Sequence, residues 1–230
     1  MSTDFTNITE SASLYDHLEE KSTLELLTDI NREDHKIADA VSDVIPAIAG
    51  LVDDILPRME RGGRVFYIGA GTSGRLGVLD ASEIPPTYGM PPTLFIGLIA
   101  GGDYALRHPV ENAEDIADQA WADMSAYDIG EDDSVIGIAA SGTTPYVLGG
   151  LREANRRGLV TGGITSNPGS PIALTAKEGN RMVDMQLSNK KLVERGTRML
   201  MDYYDWTHDR AQAELLEAGS VRAVLDKYTK

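Results

Sequence analysis

The sequence has no cysteine, which excludes disulfides, a thiol nucleophile and thiolate metal sites. Histidine is scarce as well. The four histidines are scattered, and no two have the i, i+3 or i, i+4 spacing that brings metal ligands together on a helix. Surface positions are the favoured interpretation for such residues. We therefore expect no metal site.

Basic residues are also few, with 21 Lys and Arg against 36 Asp and Glu and a formal net charge of -15. No Lys/Arg-rich tract interrupts this acidity, which argues against nucleic acid and anionic membranes as partners. No apolar run approaches the roughly 20 residues of a membrane span, and the polar N-terminus does not have the form of a signal peptide. These absences predict a soluble, intracellular protein that holds any anionic ligand with local groups.

A glycine-rich turn after a short apolar run is the most informative stretch of the chain. Val65–Ile68 predicts a buried strand, and Gly69 begins a sharp bend that leads into a helix. Such a turn presents backbone N–H groups and hydroxyls to a phosphate. Its spacing fits neither a P-loop nor a dinucleotide fingerprint, and an ordinary strand-to-helix turn is the alternative. The candidate phosphate contacts are Gly71, Thr72, Ser73, Gly74 and Arg75.

A second copy of this design follows at Ser134–Tyr146, where an apolar strand, a hydroxyl-rich turn and a helix with Pro145 in its first turn occur in the same order. Two parallel strands would place both turns on the carboxyl edge of one sheet, where open α/β folds bind ligands. The sequence thus predicts a small phosphorylated ligand held by neutral donors. The contacts expected from the second turn are Ser141, Gly142, Thr143 and Thr144.

Strand and helix patterns alternate along most of the chain, which predicts an α/β fold: a three-layer sandwich with a mainly parallel sheet. Further strands are expected at Thr93–Ala100 and Leu159–Ser166. The expected organisation is an N-terminal arm and helices over residues 1–60, the ligand-binding α/β domain over 61–178, and a helical tail over 179–230.

The N-terminal region predicts an arm and two helical stretches. Residues 1–21 are polar and aperiodic, and we expect them to become ordered only against a neighbour. Ser22–Glu25 has the pattern of a capping box that starts a helix. From Glu33 the apolar periodicity predicts one long helix ending near Gly62, with Pro46 as a possible kink. Its wide apolar face exceeds what one sheet can cover, which predicts a homodimer.

Three carboxylates are candidates for acid–base chemistry. Two prolines at 85 and 86 are expected to stop a helix just past Glu83. Glu111 and Glu114 are three apart and should share one face of a helix that opens near His108. Solvated acids at a helix start, favourable to the helix dipole, are the alternative interpretation of this pair.

Several long motifs stand out along the chain: Tyr67–Gly89, Gly97–Gly102, Val110–Asp115, Gly137–Gly142 and Thr144–Tyr146. Together they resemble the N-acetylmuramic acid 6-phosphate etherases, which are sugar isomerase (SIS) domain proteins. The resemblance implies a cytoplasmic homodimeric lyase of cell-wall recycling. It would convert N-acetylmuramic acid 6-phosphate and water into N-acetylglucosamine 6-phosphate and D-lactate without a metal or organic cofactor. By the same resemblance, Glu83 protonates the leaving ether oxygen and Glu114 removes the C2 proton.

The chain departs from this family at two places. Family members often carry Arg where this chain has Thr143, so a hydroxyl replaces a cationic contact. Between about Lys177 and Asn180 the family has a further strand and a long helix, with a Gly-Ser-Thr-Arg-Met-Lys-like motif, and only a few residues bridge these regions here. The SIS domain is therefore expected to be truncated at its C-terminal end, with one sheet edge uncovered.

Two other functions use the same phosphate turns. A glucokinase-regulator type of protein would sense a sugar phosphate without catalysis, and an aldose–ketose isomerase would need a carboxylate base alone. The presence of both Glu83 and Glu114 favours the etherase, and D-lactate release from N-acetylmuramic acid 6-phosphate would separate the three.

Overall fold

The computed structural model describes residues 5, 7–179, 197, 199–201, 203–219 and 221–228. The chain forms two compact units, Met1–Asn180 and Arg181–Lys230. The first unit contains the α-helices α1 Thr23–Ser42, α2 Ile45–Glu60, α3 Gly71–Tyr88, α4 Gln119–Ser125, α5 Pro145–Arg156 and α6 Pro171–Gly179. Its strands are β1 Val65–Gly69, β2 Phe95–Ile99, β3 Ser134–Ile138 and β4 Val160–Ile164. Short 3-10 turns lie at Ile8–Glu10, Leu18–Glu20, Asp103–Leu106 and Ala113–Asp115.

The four strands form one parallel sheet, as the sequence pattern predicts. Their order in the sheet is β2-β1-β3-β4. The chain leaves β1 in one direction to form β2 and then returns across β1 to form β3. The strand order therefore reverses between β1 and β3, and their carboxyl ends flank the crevice where such sheets bind ligands. β4 is an edge strand of the sheet within residues 7–179, as expected if a further strand is missing.

Helices cover both faces of the sheet, which confirms the three-layer arrangement. On one face, Phe66 and Ile68 of β1 pack into a buried cluster with Met124 of α4 and Leu151 of α5. On the other face, β1, β3 and β4 contribute a smaller cluster that includes Ile55 of α2. Helix α3 lies on this second face. The apolar alternation within each five-residue strand thus sends successive side chains to two different helical layers.

The N-terminal helices begin as predicted but do not continue as predicted. Ser22 caps α1, because its hydroxyl accepts from the Glu25 amide while the Glu25 carboxylate accepts from the Ser22 amide. The single long helix from Glu33 is wrong, since the chain breaks after Ser42 and α2 begins at Ile45. Pro46 explains the break: it has no N–H to donate to the Ser42 carbonyl, and its ring would clash with that carbonyl.

Helix α3 continues past the point where its prolines were expected to stop it. It includes Pro85 and Pro86 and ends at Tyr88, where Gly89 adopts φ 68° and donates to the Pro85 carbonyl at 2.9 Å. The prolines lie in the last turns, so they remove only the two hydrogen bonds that would reach residues 81 and 82. Glu83 is therefore inside the helix rather than at its end, and the expected position was wrong.

The second unit is helical and has its own apolar core. Helices α7 His208–Ala218 and α8 Val221–Tyr228 are separated at Gly219, which has φ 78°. Leu200, Leu215 and Val224 are buried together. The first part of the tail expected over 179–230 falls mostly outside the described residues, although residues 199–201, 203 and 204 are helical.

Candidate functional site

The turn after β1 is closed by direct contact between backbone atoms. A Cβ on Gly69 would lie 2.7 Å from the Gly74 nitrogen, and a Cβ on Gly74 would lie 2.6 Å from Cγ1 of Ile99 and 2.8 Å from the Gly69 oxygen. Gly71 adopts φ 54°, which an L side chain rarely does. The glycines let the start of α3 lie directly against the end of β1.

This closure leaves hydrogen-bond donors free at the start of an 18-residue helix. The Gly74 amide donates to the Ala70 carbonyl at 3.2 Å. Over residues 7–179, the amides of Gly71, Thr72 and Ser73 have no acceptor, and the Ser73 hydroxyl has no hydrogen bond. Three free amides and a hydroxyl at the positive end of a helix dipole are suited to a phosphate.

Arg75 is already bound to the protein by two hydrogen bonds. Its Nε donates to the Leu106 carbonyl at 3.0 Å, and one terminal nitrogen donates to the Ala105 carbonyl at 2.8 Å. These bonds tie the loop after β2 to the first turn. Arg75 therefore lies beside the free amides of the first turn, with a part of its guanidinium committed to loop structure, and its contact with a phosphate stays a prediction.

The turn after β3 is surrounded by hydroxyl groups. Gly142 adopts φ 71°, and a Cβ there would lie 2.1 Å from Oγ of Ser170 and 2.6 Å from Oγ1 of Thr165. The Ser141 hydroxyl accepts from the Thr143 amide at 3.3 Å and lies 3.1 Å from the Thr143 hydroxyl. Thr144 precedes Pro145 at the start of α5. Sequence reasoning assigned Ser141, Gly142, Thr143 and Thr144 to the site but missed Thr165 and Ser170.

The sheet register brings the two turns side by side. Gly69 at the end of β1 is paired with Ile138 at the end of β3, and neighbouring strands lie about 4.8 Å apart. Ala70 and Ala139, the first residues of the two turns, therefore start from adjacent positions at the crevice. This juxtaposition is the one that the two sequence motifs predict.

Asn167 is a component of the second turn that sequence reasoning missed. It is completely buried, and its Nδ2 donates to the Ser141 carbonyl at 2.9 Å. The same amide group binds the N-terminal segment, through Asn7, Ile8 and Thr9. The expectation that residues 1–21 become ordered only against a neighbour is thus wrong for this segment, which is held by its own chain.

A pocket of about 200 Å³ contains two of the three candidate carboxylates. Gly71 and Arg75 of the first turn line it, together with Glu111 and Glu114 from the segment before α4. Neither Glu83 nor any residue of the second turn contributes to this pocket. The structure thus brings Glu114, Gly71 and Arg75 together and places the second turn on the adjacent strand.

The helix expected to carry Glu111 and Glu114 on one face is absent, and that prediction was wrong. Asn112 between them has φ 61°, residues 113–115 form a single 3-10 turn, and Ile116 is extended. Helix α4 begins only at Gln119. A left-handed residue cannot continue a right-handed helix, so the two carboxylates enter the pocket from a loop.

A second pocket of about 380 Å³ adjoins the first and shares Glu111 and Asn112 with it. Asp123 forms part of its wall and accepts from the buried Tyr146 hydroxyl at 2.8 Å and from the Gln119 amide at 2.7 Å. Burial, reinforced by the Asp123 carboxylate, raises the pKa of Tyr146 well above its usual value. Tyr146 is therefore a neutral donor that fixes Asp123 in this wall.

Glu83 lies away from both pockets on the outer face of α3. It is eight residues beyond Arg75, or about 12 Å along the helix axis at 1.5 Å per residue. Leu76 and Leu79 share its face and are 55% and 57% exposed. Glu83 thus lines neither pocket, whereas Glu114 lines the smaller one.

The chain is similar to one protein-family model and to several known proteins. A model described as the glucokinase regulatory protein N-terminal SIS domain matches residues 47–155. The N-acetylmuramic acid 6-phosphate etherase of Porphyromonas gingivalis is 55% identical over 260 residues, covering 95% of this chain and 95% of the relative. The relative of the same name from Bacteroides thetaiotaomicron is 50% identical over 269 residues, covering 99% and 97%.

These alignments are longer than the 230 residues of this chain. The relatives therefore carry residues without a counterpart here, which is consistent with an internal absence. Its position near Lys177 stays a prediction, because residues 180–196 lie outside the described part of the chain. Among the described residues, none of the helices is long and apolar enough to cross a membrane.

Proposed function

This chain belongs to the N-acetylmuramic acid 6-phosphate etherase family, and we propose from that premise which of its residues bind and cleave the substrate. It is a carbon–oxygen lyase. The enzyme cleaves the D-lactyl ether of N-acetylmuramic acid 6-phosphate to give N-acetylglucosamine 6-phosphate and D-lactate. The finer assignments below concern the phosphate contacts, the acid and base, and the oligomeric state.

The 6-phosphate binds in the crevice between the two turns. The observation that carries this proposal is the pairing of Gly69 with Ile138, which starts both turns from adjacent positions. The free amides of residues 71–73 and the Ser73 hydroxyl act from one side, and the hydroxyls of Ser141 and Thr143 act from the other. Backbone amides, hydroxyls and a helix dipole can hold a dianion without a cluster of cations, in agreement with the acidic composition.

Glu114 acts as the base on the open-chain form of the sugar. The C1 aldehyde acidifies the C2 proton, and Glu114 removes it. The electron pair that remains expels lactate from C3 while Glu83 gives its proton to the ether oxygen. Water then adds its hydroxyl to C3 of the unsaturated aldehyde and a proton returns to C2, so that the sum is substrate plus water to two products. Proton transfer by a positioned carboxylate typically contributes 10²- to 10⁴-fold.

Glu83 reaches this site from a second copy of the chain. The outer face of α3, with Leu76, Leu79 and Glu83, is exposed in the single chain. Helix α1 has no buried residue, and α2 has one, although both carry apolar stripes. A homodimer that covers these stripes would bury exposed apolar side chains and could carry Glu83 to the partner's Glu114. We place this homodimer in the cytoplasm.

Hydrogen exchange separates the roles of the carboxylates. In deuterated solvent, Glu83→Gln should exchange the C2 hydrogen of the substrate but release almost no lactate, because only the acid is lost. Glu114→Gln should do neither. Glu111→Gln, which lies in the same pocket, should stay within about tenfold of the wild type. Abolished exchange in Glu111→Gln but not in Glu114→Gln would show that the base is misassigned.

Mixing two inactive variants tests whether a site is shared between protomers. Glu83→Gln and Glu114→Gln, unfolded and refolded together in equal amounts, form mixed dimers with one intact site each. Activity should then recover to about a quarter of the wild-type value, because half of the dimers are mixed and each has one of two sites. No recovery, in a mixture that light scattering shows to be dimeric, would place both carboxylates of a site in one protomer.

The similarity to the glucokinase regulatory protein model supports a second candidate, a protein that senses sugar phosphates without catalysis. That match covers residues 47–155, whereas the etherase relatives are similar over nearly the whole chain. Binding of N-acetylmuramic acid 6-phosphate without any release of D-lactate would favour the sensor.

A further inference from the structure

The amide of Asn167 holds the second turn from behind. Its Nδ2 donates to the Ser141 carbonyl at 2.9 Å, so that it orients the peptide between Ser141 and Gly142. The backbone N–H of Asn167 donates to the Thr165 hydroxyl oxygen at 3.2 Å. Asn167 is 0% exposed and therefore cannot contact a ligand directly. It can affect the ligand only through the turn that it holds.

The remaining hydrogen bonds of this amide go to the N-terminal segment, Asn7–Glu10. The amides of Ile8 and Thr9 donate to Oδ1 of Asn167 at 2.8 Å and 3.2 Å. In return, Nδ2 donates to Oδ1 of Asn7 at 2.7 Å and to the Thr9 hydroxyl at 3.1 Å. This segment is about 160 residues away in sequence, yet it supplies every donor to Oδ1 among the residues the structure describes.

We propose that the segment Asn7–Glu10 is a positioning element of the phosphate site, which acts by docking on Asn167 and thereby fixing the Ser141–Gly142 peptide. Undocking removes both donors from a buried carbonyl oxygen, and the amide then has to find new partners. In doing so it releases the Ser141 carbonyl and loosens the turn. The inference rests on the proposed phosphate site, and it adds to that site a part of the chain that touches no ligand.

Docking and ligand binding should be reciprocally coupled, because each stabilises the same arrangement of the turn. Inorganic phosphate should therefore slow hydrogen exchange at the Ile8 and Thr9 amides, measured by NMR. Asn167→Ala should speed the exchange of both amides and abolish the effect of phosphate. A purely structural role for the segment would leave the exchange of these amides unchanged by phosphate.

The closing experiment measures the dissociation constant of inorganic phosphate by calorimetry for the full chain, for Asn167→Ala and for a variant that lacks residues 1–10. We expect each change to weaken binding about tenfold, and the combined variant to be no weaker than either alone. The matched control is Asn155→Ala. Asn155 also makes two side-chain hydrogen bonds, to Thr175 and Thr161, but it lies in the last turn of α5, away from the crevice.

The outcomes distinguish this inference from the function on which it rests. Unchanged phosphate affinity in the truncated variant, or an equal loss in Asn155→Ala, would overturn the positioning role while leaving the phosphate site intact. Failure of the full chain to bind phosphate, or N-acetylglucosamine 6-phosphate, would overturn both. Weakened phosphate binding in Asn167→Ala and in the truncated variant, together with wild-type affinity in Asn155→Ala, supports the inference.

Discussion

The two turns at the edge of the sheet resemble each other in sequence but are held in place by different means. The turn after β1 is closed by backbone contact, with Gly69 and Gly74 against each other and Ile99 behind them. The turn after β3 is held by side chains from elsewhere, with Thr165 and Ser170 around Gly142 and Asn167 behind Ser141. One turn is thus specified largely by its own residues, whereas the other depends on partners such as Asn167, which is 26 residues from Ser141 along the chain.

The difference suggests a division of work at the site. The backbone contacts of the first turn hold its free amides in one arrangement and leave no space for them to move. The second turn presents hydroxyls whose orientation depends on hydrogen bonds that can break singly. We therefore expect a side chain added to a glycine of the first turn to cost more stability than the matched change in the second turn.

The largest expected effect is that of Gly74→Ala. The new Cβ would overlap the Gly69 carbonyl, a backbone atom that cannot rotate away, so the free energy of unfolding should fall by about 3 kcal/mol. Gly142→Ala meets the side chain of Ser170, with Oγ at 2.1 Å and Cβ at 2.4 Å. The hydroxyl can rotate away, whereas the Cβ moves only if the loop before α6 shifts, and with the strain of the positive φ we expect a loss of about 2 kcal/mol. Urea unfolding compares the two.

A glycine in open space is the control for this pair. Gly50 lies inside α2 with no atom within 4 Å of its ideal Cβ, and Gly50→Ala should gain up to about 1 kcal/mol from helix propensity. Equal losses for Gly74→Ala and Gly142→Ala would remove the proposed difference between the turns.

Asp133→Asn should lower the free energy of unfolding without acting on one turn more than on the other. The buried Asp133 carboxylate pairs with Arg64 at 2.7 Å. This ion pair joins the amino ends of β1 and β3, which are the ends away from the two turns. Burial raises the pKa of Asp133, but hydrogen bonds from Arg64 and from the Gly130 and Arg64 amides outweigh it and lower the pKa overall. The loss at neutral pH should be about 2 kcal/mol.

The lowered pKa fixes the pH dependence of this loss. Stability from Asp133 is fully present above the unfolded-state pKa of about 3.9, and it disappears as the pH falls through the lower pKa of the folded state. The difference in unfolding free energy between wild type and Asp133→Asn should therefore shrink below about pH 4. A constant difference from pH 7 to pH 3 would show that the carboxylate charge contributes nothing.

Ser73→Ala should leave stability unchanged and raise the KM for N-acetylmuramic acid 6-phosphate by roughly ten- to a hundredfold. The Ser73 hydroxyl has no partner among residues 7–179, and a hydrogen bond to a charged ligand is worth about 1.5 to 3 kcal/mol. Ser82→Ala, in the same helix, loses only a bond to the Leu79 carbonyl and serves as the control. Unchanged KM in Ser73→Ala would count against the first turn as the phosphate site.

Thr143→Val should have the smallest effect. Its hydroxyl lies 3.1 Å from the Ser141 hydroxyl, so its removal costs one neutral hydrogen bond and one ligand contact in an exposed position. We expect KM to rise about threefold to tenfold. A KM increase larger than that of Ser73→Ala would show that the second turn contributes more to substrate binding than the first.

Local patterns predicted the sheet, both turns and the capped helices, because apolar runs, glycines and capping residues act within a few positions of themselves. The break between Glu111 and Glu114 was missed: Asn tolerates the left-handed conformation better than other non-glycine residues, but one Asn also occurs within helices and does not by itself predict a break. Glu83 was expected at a helix end because Pro85 and Pro86 were expected to stop α3. Prolines in the last turns of a helix remove few hydrogen bonds, so the helix continues past them. The docking of Asn7 on Asn167 depends on a contact that no periodicity encodes.

The central claim is that this sheet edge cleaves the lactyl ether of a sugar phosphate. The most direct measurement incubates the chain, verified at 24.9 kDa by intact mass spectrometry, with N-acetylmuramic acid 6-phosphate and assays both products. The account predicts equal amounts of D-lactate and N-acetylglucosamine 6-phosphate. A substrate that is bound but recovered unchanged, or converted to its ketose without release of lactate, would contradict it.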